Sequence, residues 1–122
     1  MKIGDISGKI SIFLRPHIKE CLKKLKEHYE IVLFTASYKE YADAILNYID
    51  PKNELFDYRL YKNNCSHNNG NEKIMIKDLR IIKNRNLKDV VLVDNSGISF
   101  LMQPDNGIPI LSFYGKKGDD EF

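Results

Sequence analysis

At 122 residues the chain has room for one domain, with little stability to spare. Its 43% hydrophobic and 30% charged residues suit a globular protein, and a net charge of +2 is too small to attract nucleic acid by charge alone. No apolar run approaches the ~18 residues of a membrane span, no signal-peptide core opens the sequence, and Cys21 and Cys65 make no disulfide framework, so an intracellular, reduced protein is expected.

The segment Lys9–Leu14 reads as a strand, and Arg15-Pro16 opens a helix with Pro16 in its first turn. Ile18, Cys21, Leu22 and Leu25 then fall at i, i+3, i+4 and i+7, one apolar stripe that makes Cys21 a core residue. The lysines at 19, 23, 24 and 26 read as its solvated face, with a weak contact to an acidic partner as the alternative. Ile31–Phe34 is a short unbroken apolar run, the pattern of a strand buried on both faces of a parallel sheet. Ser37 and Glu40 have capping-box spacing before a helix that turns Tyr41, Ala44, Ile45, Tyr48 and Ile49 inward and stops at Asp50-Pro51.

Phe56–Tyr61 alternates as a strand does, and Cys65–Asn71 is polar, holds Gly70 and reads as a loop. Cys65 and His67 have no second ligand pair nearby, so zinc is not expected. Ile74–Ile76 leads into Lys77 and a turn that Asp78 caps. Val90–Val93 is the second buried-strand run, followed by a helix through Ile98, Leu101 and Met102 and a strand at Ile108–Leu111. Strands alternating with helices give an α/β fold with a mainly parallel sheet.

In such sheets, ligands gather beyond the carboxyl ends of the strands. Thr35 follows one apolar strand there, and Asp94-Asn95 end the other. A strand simply ending in a polar loop explains each alone, and a helix cap explains Ser37. Together with Lys77 they make a set suited to a phosphoryl group: a hydroxyl donor, a cation to offset its charge and oxygen ligands for magnesium.

The blocks Leu14–His17, Tyr29–Ser37, Lys39–Asp43, Tyr58–Lys62, Ile76–Leu79, Val93–Ser96 and Gln103–Pro109 resemble, in order, the small carboxyl-terminal-domain (CTD) phosphatases, the NLI-interacting-factor-like domain of the haloacid dehalogenase superfamily. The resemblance implies a three-layer α/β fold over residues 1–122, a mainly parallel central sheet and a magnesium-dependent phosphoserine or phosphothreonine phosphatase. Several members of that family act on the carboxyl-terminal repeat of RNA polymerase II. It also implies that Thr35 binds the transferring phosphoryl group and that Lys77 neutralises it and pairs with Asp94. Asn95 and Asp94 would serve magnesium, and Lys62, Tyr38 and Tyr41 the substrate, both tyrosines through an apolar surface that ordinary helix packing explains as well. The partner would be a phosphoprotein or another protein in the nucleus or cytoplasm, with mitochondria an alternative.

Three departures qualify this. The family's nucleophile is the first aspartate of Asp-x-Asp-x-Thr, on a strand central to the sheet, and no such signature occurs here; Asp5-Ile6-Ser7 offers one carboxylate, too close to Arg15-Pro16. Lys62 stands where the family usually has arginine, keeping the charge and losing the planar fork. Gly97 stands where the family usually has proline. The expectation is a domain N-terminally incomplete, its first core strand absent, holding magnesium weakly and inactive as written. Its alternative is a non-catalytic pseudophosphatase or interaction domain, as in a mitochondrial translocase subunit.

Overall fold

The computed structural model describes the backbone of residues 2–6, 10–68 and 71–112, and the side chains of residues 14–67 and 74–112. Two strands come first, β1 (Lys2–Ile6) and β2 (Ile10–Phe13), paired antiparallel. Then follow α1 (Ile18–Lys26), β3 (Val32–Phe34), α2 (Lys39–Ile49) and β4 (Tyr58–Leu60). An antiparallel pair, β5 (Ser66–Asn68) and β6 (Asn71–Ile76), occupies most of the segment expected to be a loop. Finally β7 (Leu92–Asp94) and β8 (Gly107–Pro109) pair in parallel, as do β3 and β4. The Asp5 side chain, residues 7–9 and Gly70 lie outside the described residues.

The expected α/β composition is present, but the single mainly parallel sheet is not. The described strands form four separate two-stranded ladders, two parallel and two antiparallel. Among the described residues β3 pairs only with β4 and β7 only with β8, so each has one edge that no described strand covers. β1 and β2 pair with each other and with neither of these strands. β1 and β2 are close in sequence, so closing their antiparallel ladder costs little chain entropy, and a parallel insertion needs a long crossover.

Burial corrects the reading of the two apolar runs. β3 is half-buried along its length. In β7, Leu92 and Asp94 are buried, whereas Val91 is 64% and Val93 46% exposed. Val93 lies opposite Ile108 of β8, itself exposed, so one face of this pair has no cover. The other face is closed by a 3-10 turn, Gly97–Phe100, where a longer helix was expected. Gly107 belongs to that closure: a Cβ there would collide with the Phe100 ring.

The helices are shifted relative to their apolar patterns. In α1 no residue is fully buried, Leu25 is exposed and Cys21 is half-buried, so the stripe lies on the margin of the core. In α2 the buried residues are Ala42 and Leu46, with Tyr41 and Tyr48 turned to the surface. Ala44, also expected inward, is exposed, and Ile45 and Ile49 are half-buried. Tyr38, and not Ser37, takes the N-cap position of α2, and no side chain caps it. Pro16 and His17 precede α1, with His17 in the left-handed region at φ 68°.

The core runs through Ala42, Leu46, Leu55, Cys65, Ile76, Leu79 and Leu92. Buried Asp50 closes the end of α2: its carboxylate accepts the Glu54 N–H at 2.8 Å and the Leu55 N–H at 2.9 Å. Each amide left unpaired under cover costs on the order of 1–3 kcal/mol. Asp50→Ala is therefore expected to lower unfolding stability by about 2 kcal/mol, read from the urea midpoint by far-ultraviolet circular dichroism. An unchanged midpoint would show that water satisfies both amides.

Candidate functional site

Lys77 leaves the end of β6, its N–H donating to the Ser99 carbonyl at 3.2 Å. Asp94 ends β7, its own carbonyl accepting the Ile110 N–H at 3.1 Å. These two anchors bring the side chains into direct contact: the Lys77 ammonium donates to Asp94 Oδ2. The side chains are only 11% and 7% exposed, so the pair is largely withdrawn from water. The other carboxylate oxygen, Oδ1, accepts the Ser96 N–H at 2.9 Å.

The end of β3 lies beside this pair. Lys77 Nζ is 6.0 Å from the Phe34 ring centroid, and Thr35 is the next residue. Buried Cys65 packs against the end of β3, its Sγ 3.9 Å from the Thr35 carbonyl oxygen and 3.9 Å from that of Tyr61. Burial pushes the Cys65 thiol up; the Lys77 ammonium opposes that and the Asp94 carboxylate adds to it. The net rise keeps Cys65 a protonated, packing thiol and not a nucleophile.

Thr35 does not join the ion pair through its hydroxyl. Thr35 Oγ1 accepts the Ser37 N–H at 3.1 Å, which leaves its own O–H to donate elsewhere. With Ser37, Tyr41, Leu33 and Ile45, Thr35 lines a shallow hollow of about 130 Å³ under α2. Tyr41 thus contributes to an apolar surface next to Thr35. Tyr38 does not: it is 65% exposed, and its hydroxyl oxygen accepts a hydrogen bond from Lys62 Nζ at 3.1 Å.

Asn95 is exposed and donates through Nδ2 to Ser112 Oγ at 2.8 Å. Among the described residues no group of three or more His, Cys, Asp or Glu could hold a metal ion. Asp94 already has both oxygens engaged and Asn95 offers one amide oxygen, so these residues do not fit magnesium by themselves.

A second cluster lies behind Lys62. The Asp43 carboxylate of α2 accepts from Lys39 Nζ at 2.6 Å, Tyr61 Oη at 2.6 Å and Arg59 Nη1 at 2.9 Å. The lone i, i+4 spacing of Lys39 and Asp43 was the only part legible in sequence. Arg59 and Tyr61 stand two residues apart, so an extended chain turns both toward α2. This fixes Tyr61, and the Tyr61 N–H donates to Asn64 Oδ1 at 2.9 Å to start the 3-10 turn Lys62–Asn64. The Lys62 N–H donates in turn to the Ser37 carbonyl at 3.0 Å. Asp78, as expected, caps its turn through the Arg80 N–H at 3.0 Å, and Gln103 braces it by donating to Oδ1 at 2.9 Å.

A model of the NLI interacting factor-like phosphatase family matches residues 1–122. The chain is 45% identical over 107 residues to "CTD small phosphatase-like protein 2" of Dictyostelium discoideum, covering 88% of this chain and 18% of that protein. It is 40% identical to "Phosphatase Herzog" of Drosophila melanogaster over 99% of this chain and 33% of that one. It is 35% identical to human "Carboxy-terminal domain RNA polymerase II polypeptide A small phosphatase 1" over 99% of this chain and 44% of that one. The chain therefore spans less than half the length of each of these relatives.

The Asp43 cluster makes an acid-range prediction. The Lys39 hydrogen bond, then that of Tyr61 and then that of Arg59, push the Asp43 carboxyl from 3.8 down to about 2. A carboxyl depressed in the folded state stabilises the fold above its unfolded value and loses that contribution as pH falls toward the folded one. The urea midpoint should fall between pH 3.8 and about 2, with a shallower fall in Asp43→Asn, which should also be the less stable at neutral pH. Parallel profiles for the two proteins would remove Asp43 from the acid response.

Proposed function

This chain belongs to the NLI interacting factor-like phosphatase family, and from that premise we propose that its site receives the phosphoryl group of a phosphoserine or phosphothreonine protein. The observation that carries the proposal is the Lys77–Asp94 pair, withdrawn from water beside the carboxyl end of β3. A cation held there by a carboxylate offsets the charge on phosphoryl oxygens, and it is worth more in such a place than in water. The Thr35 hydroxyl, free to donate, takes a second phosphoryl oxygen. Lys62 serves the outer edge of the substrate, and Tyr41 supplies apolar wall beside Thr35. The human relative's name specifies the RNA polymerase II carboxyl-terminal domain; a repeat of that kind is the substrate class extended here to this chain. A nuclear or cytoplasmic location goes with that substrate. Among the described residues no helix is long and apolar enough to cross a membrane.

The described residues supply recognition and charge, and not a nucleophile. Cys65 stays protonated, Asp94 is engaged at both oxygens, and no Asp-x-Asp-x-Thr occurs in the sequence. Magnesium is part of the proposal only with carboxylates additional to Asp94, because the donors present do not enclose it. The same observations favour a second reading, in which these 122 residues bind a phosphoprotein without hydrolysing it.

One assay separates the readings. Met1–Phe122 should release no phosphate from a phosphoserine peptide in magnesium buffer. Fused behind a strand segment bearing Asp-x-Asp-x-Thr, it should release phosphate at least a hundredfold above background, and Thr35→Val should cut that rate about tenfold to a hundredfold. Release by Met1–Phe122 alone, abolished by Asp94→Ala, would place the nucleophile within these residues and overturn the proposal. A fusion that binds the peptide and releases nothing would favour the non-catalytic reading.

A further inference from the structure

Lys62 and Tyr38 come from different elements and meet beside Ser37, whose N–H donates to Thr35 Oγ1. Tyr38 precedes α2, and Lys62 opens the turn after β4. The backbone locks them together: the Lys62 N–H donates to the Ser37 carbonyl at 3.0 Å, and the Cys65 N–H donates to the Lys62 carbonyl at 3.0 Å. Behind the turn, Tyr61 is held by the Asp43 carboxylate and by Lys39, whose ammonium lies 5.5 Å from the Tyr61 ring centroid. In front, Lys62 Nζ sits 4.4 Å from the Tyr38 ring centroid and 3.1 Å from its hydroxyl oxygen.

The direction of that hydrogen bond matters. An ammonium has donors only, so the phenol oxygen accepts from Lys62 and keeps its own O–H to give away. The pair therefore presents an ammonium and a polarised phenol O–H side by side, 3.1 Å apart. Two donors at that separation match two oxygens on one edge of a phosphate. A single arginine guanidinium provides the same arrangement in one planar group; lysine alone is a point charge without it.

We infer that Tyr38 and Lys62 together form a two-donor fork for the phosphate of a phosphoserine peptide, with the Tyr38 hydroxyl supplying the donor that lysine lacks. Tyr38 is then a polar recognition residue and not part of the apolar wall that Tyr41 provides. The inference rests on the phosphate-site reading above and adds to it the residue that sets phosphate recognition at the rim. Desolvation of the pair is small in the free protein, because Tyr38 is 65% exposed and the phosphate arrives from the open side.

The test is binding of a phosphoserine peptide to Met1–Phe122 by isothermal titration, with the unphosphorylated peptide and inorganic phosphate as separate ligands. Tyr38→Phe keeps the ring over which Lys62 lies and deletes only the hydroxyl. It should weaken phosphopeptide binding about tenfold, the effect of one lost charge-assisted hydrogen bond, and leave the unphosphorylated peptide unaffected. Adding Lys62→Arg to Tyr38→Phe should restore most of that loss, since the guanidinium brings both donors. Competition by inorganic phosphate should show the same order of variants. Phosphate-dependent binding that Thr35→Val weakens and Tyr38→Phe leaves intact would overturn the fork and leave the phosphate-site reading standing. Equal binding of phosphorylated and unphosphorylated peptide by the unaltered chain would overturn both.

Discussion

A lysine and an aspartate, nearly enclosed and each tied by its backbone to a different element, make the arrangement on which the rest of this site depends. Lys77 and Asp94 are brought together by Ser99 on one side and the β7–β8 ladder on the other. Taking both charges out of water is costly, and an apolar pair of the same volume is often no less stable. Losing one partner is a different matter, because the survivor is then a buried charge without compensation. Such an arrangement gives the protein a fixed cation whose charge an arriving anion feels strongly. The nearby Cys65 thiol feels both charges, and its burial keeps it protonated against the opposing pull of Lys77.

Around this centre the proposed site is graded outward. The inner wall is Phe34 and Cys65, apolar or neutral, and it keeps the field of the pair unscreened. The intermediate ring is Thr35 and Tyr41, one hydroxyl donor and one apolar surface around the same hollow. The rim is Lys62 and Tyr38, open to water but braced from behind by Asp43, Arg59 and Tyr61. The bracing matters because a lysine has four carbons of rotatable stem, and without a support its charge is spread over many positions. The edges of β3 and β7 that no described strand covers face a different need, which further strand pairing would satisfy.

How much of this was legible in the sequence follows from range. The order of elements was visible because it depends on local periodicity: α1, α2 and β3 fall within their predicted segments, and β7 lies two residues further along than Val90–Val93 at its start and one at its end. The family blocks pointed to Lys77 and Asp94, and the structure brings those two into contact. What failed was the environment. An unbroken apolar run was taken as burial on both faces, but burial belongs to the neighbours, and nothing among the described residues covers Val91 and Val93. The apolar stripe of α2 reads as Tyr41, Ala44, Ile45, Tyr48 and Ile49, whereas the buried residues are Ala42 and Leu46, each one position on from Tyr41 and Ile45. The polar run Cys65–Asn71 concealed β5 and the first residue of β6, because antiparallel pairing asks little of side-chain polarity. Apart from the i, i+4 pair Lys39–Asp43, the Asp43 cluster and the Lys62–Tyr38 contact join residues sixteen or more apart, so no local pattern announces them.

The central claim is that the Lys77–Asp94 pair exists for an anion and not for the fold. A double-mutant cycle tests it directly, with Lys77→Met, Asp94→Leu and the double variant compared by urea unfolding and by phosphoserine-peptide binding. Each single variant should lose about 3–5 kcal/mol, because each leaves one buried charge alone. The double variant should regain stability to within about 1 kcal/mol of the unaltered chain and still fail to bind the peptide. A double variant that stays as unstable as the singles, or that binds the phosphopeptide as tightly as the unaltered chain, would contradict the account.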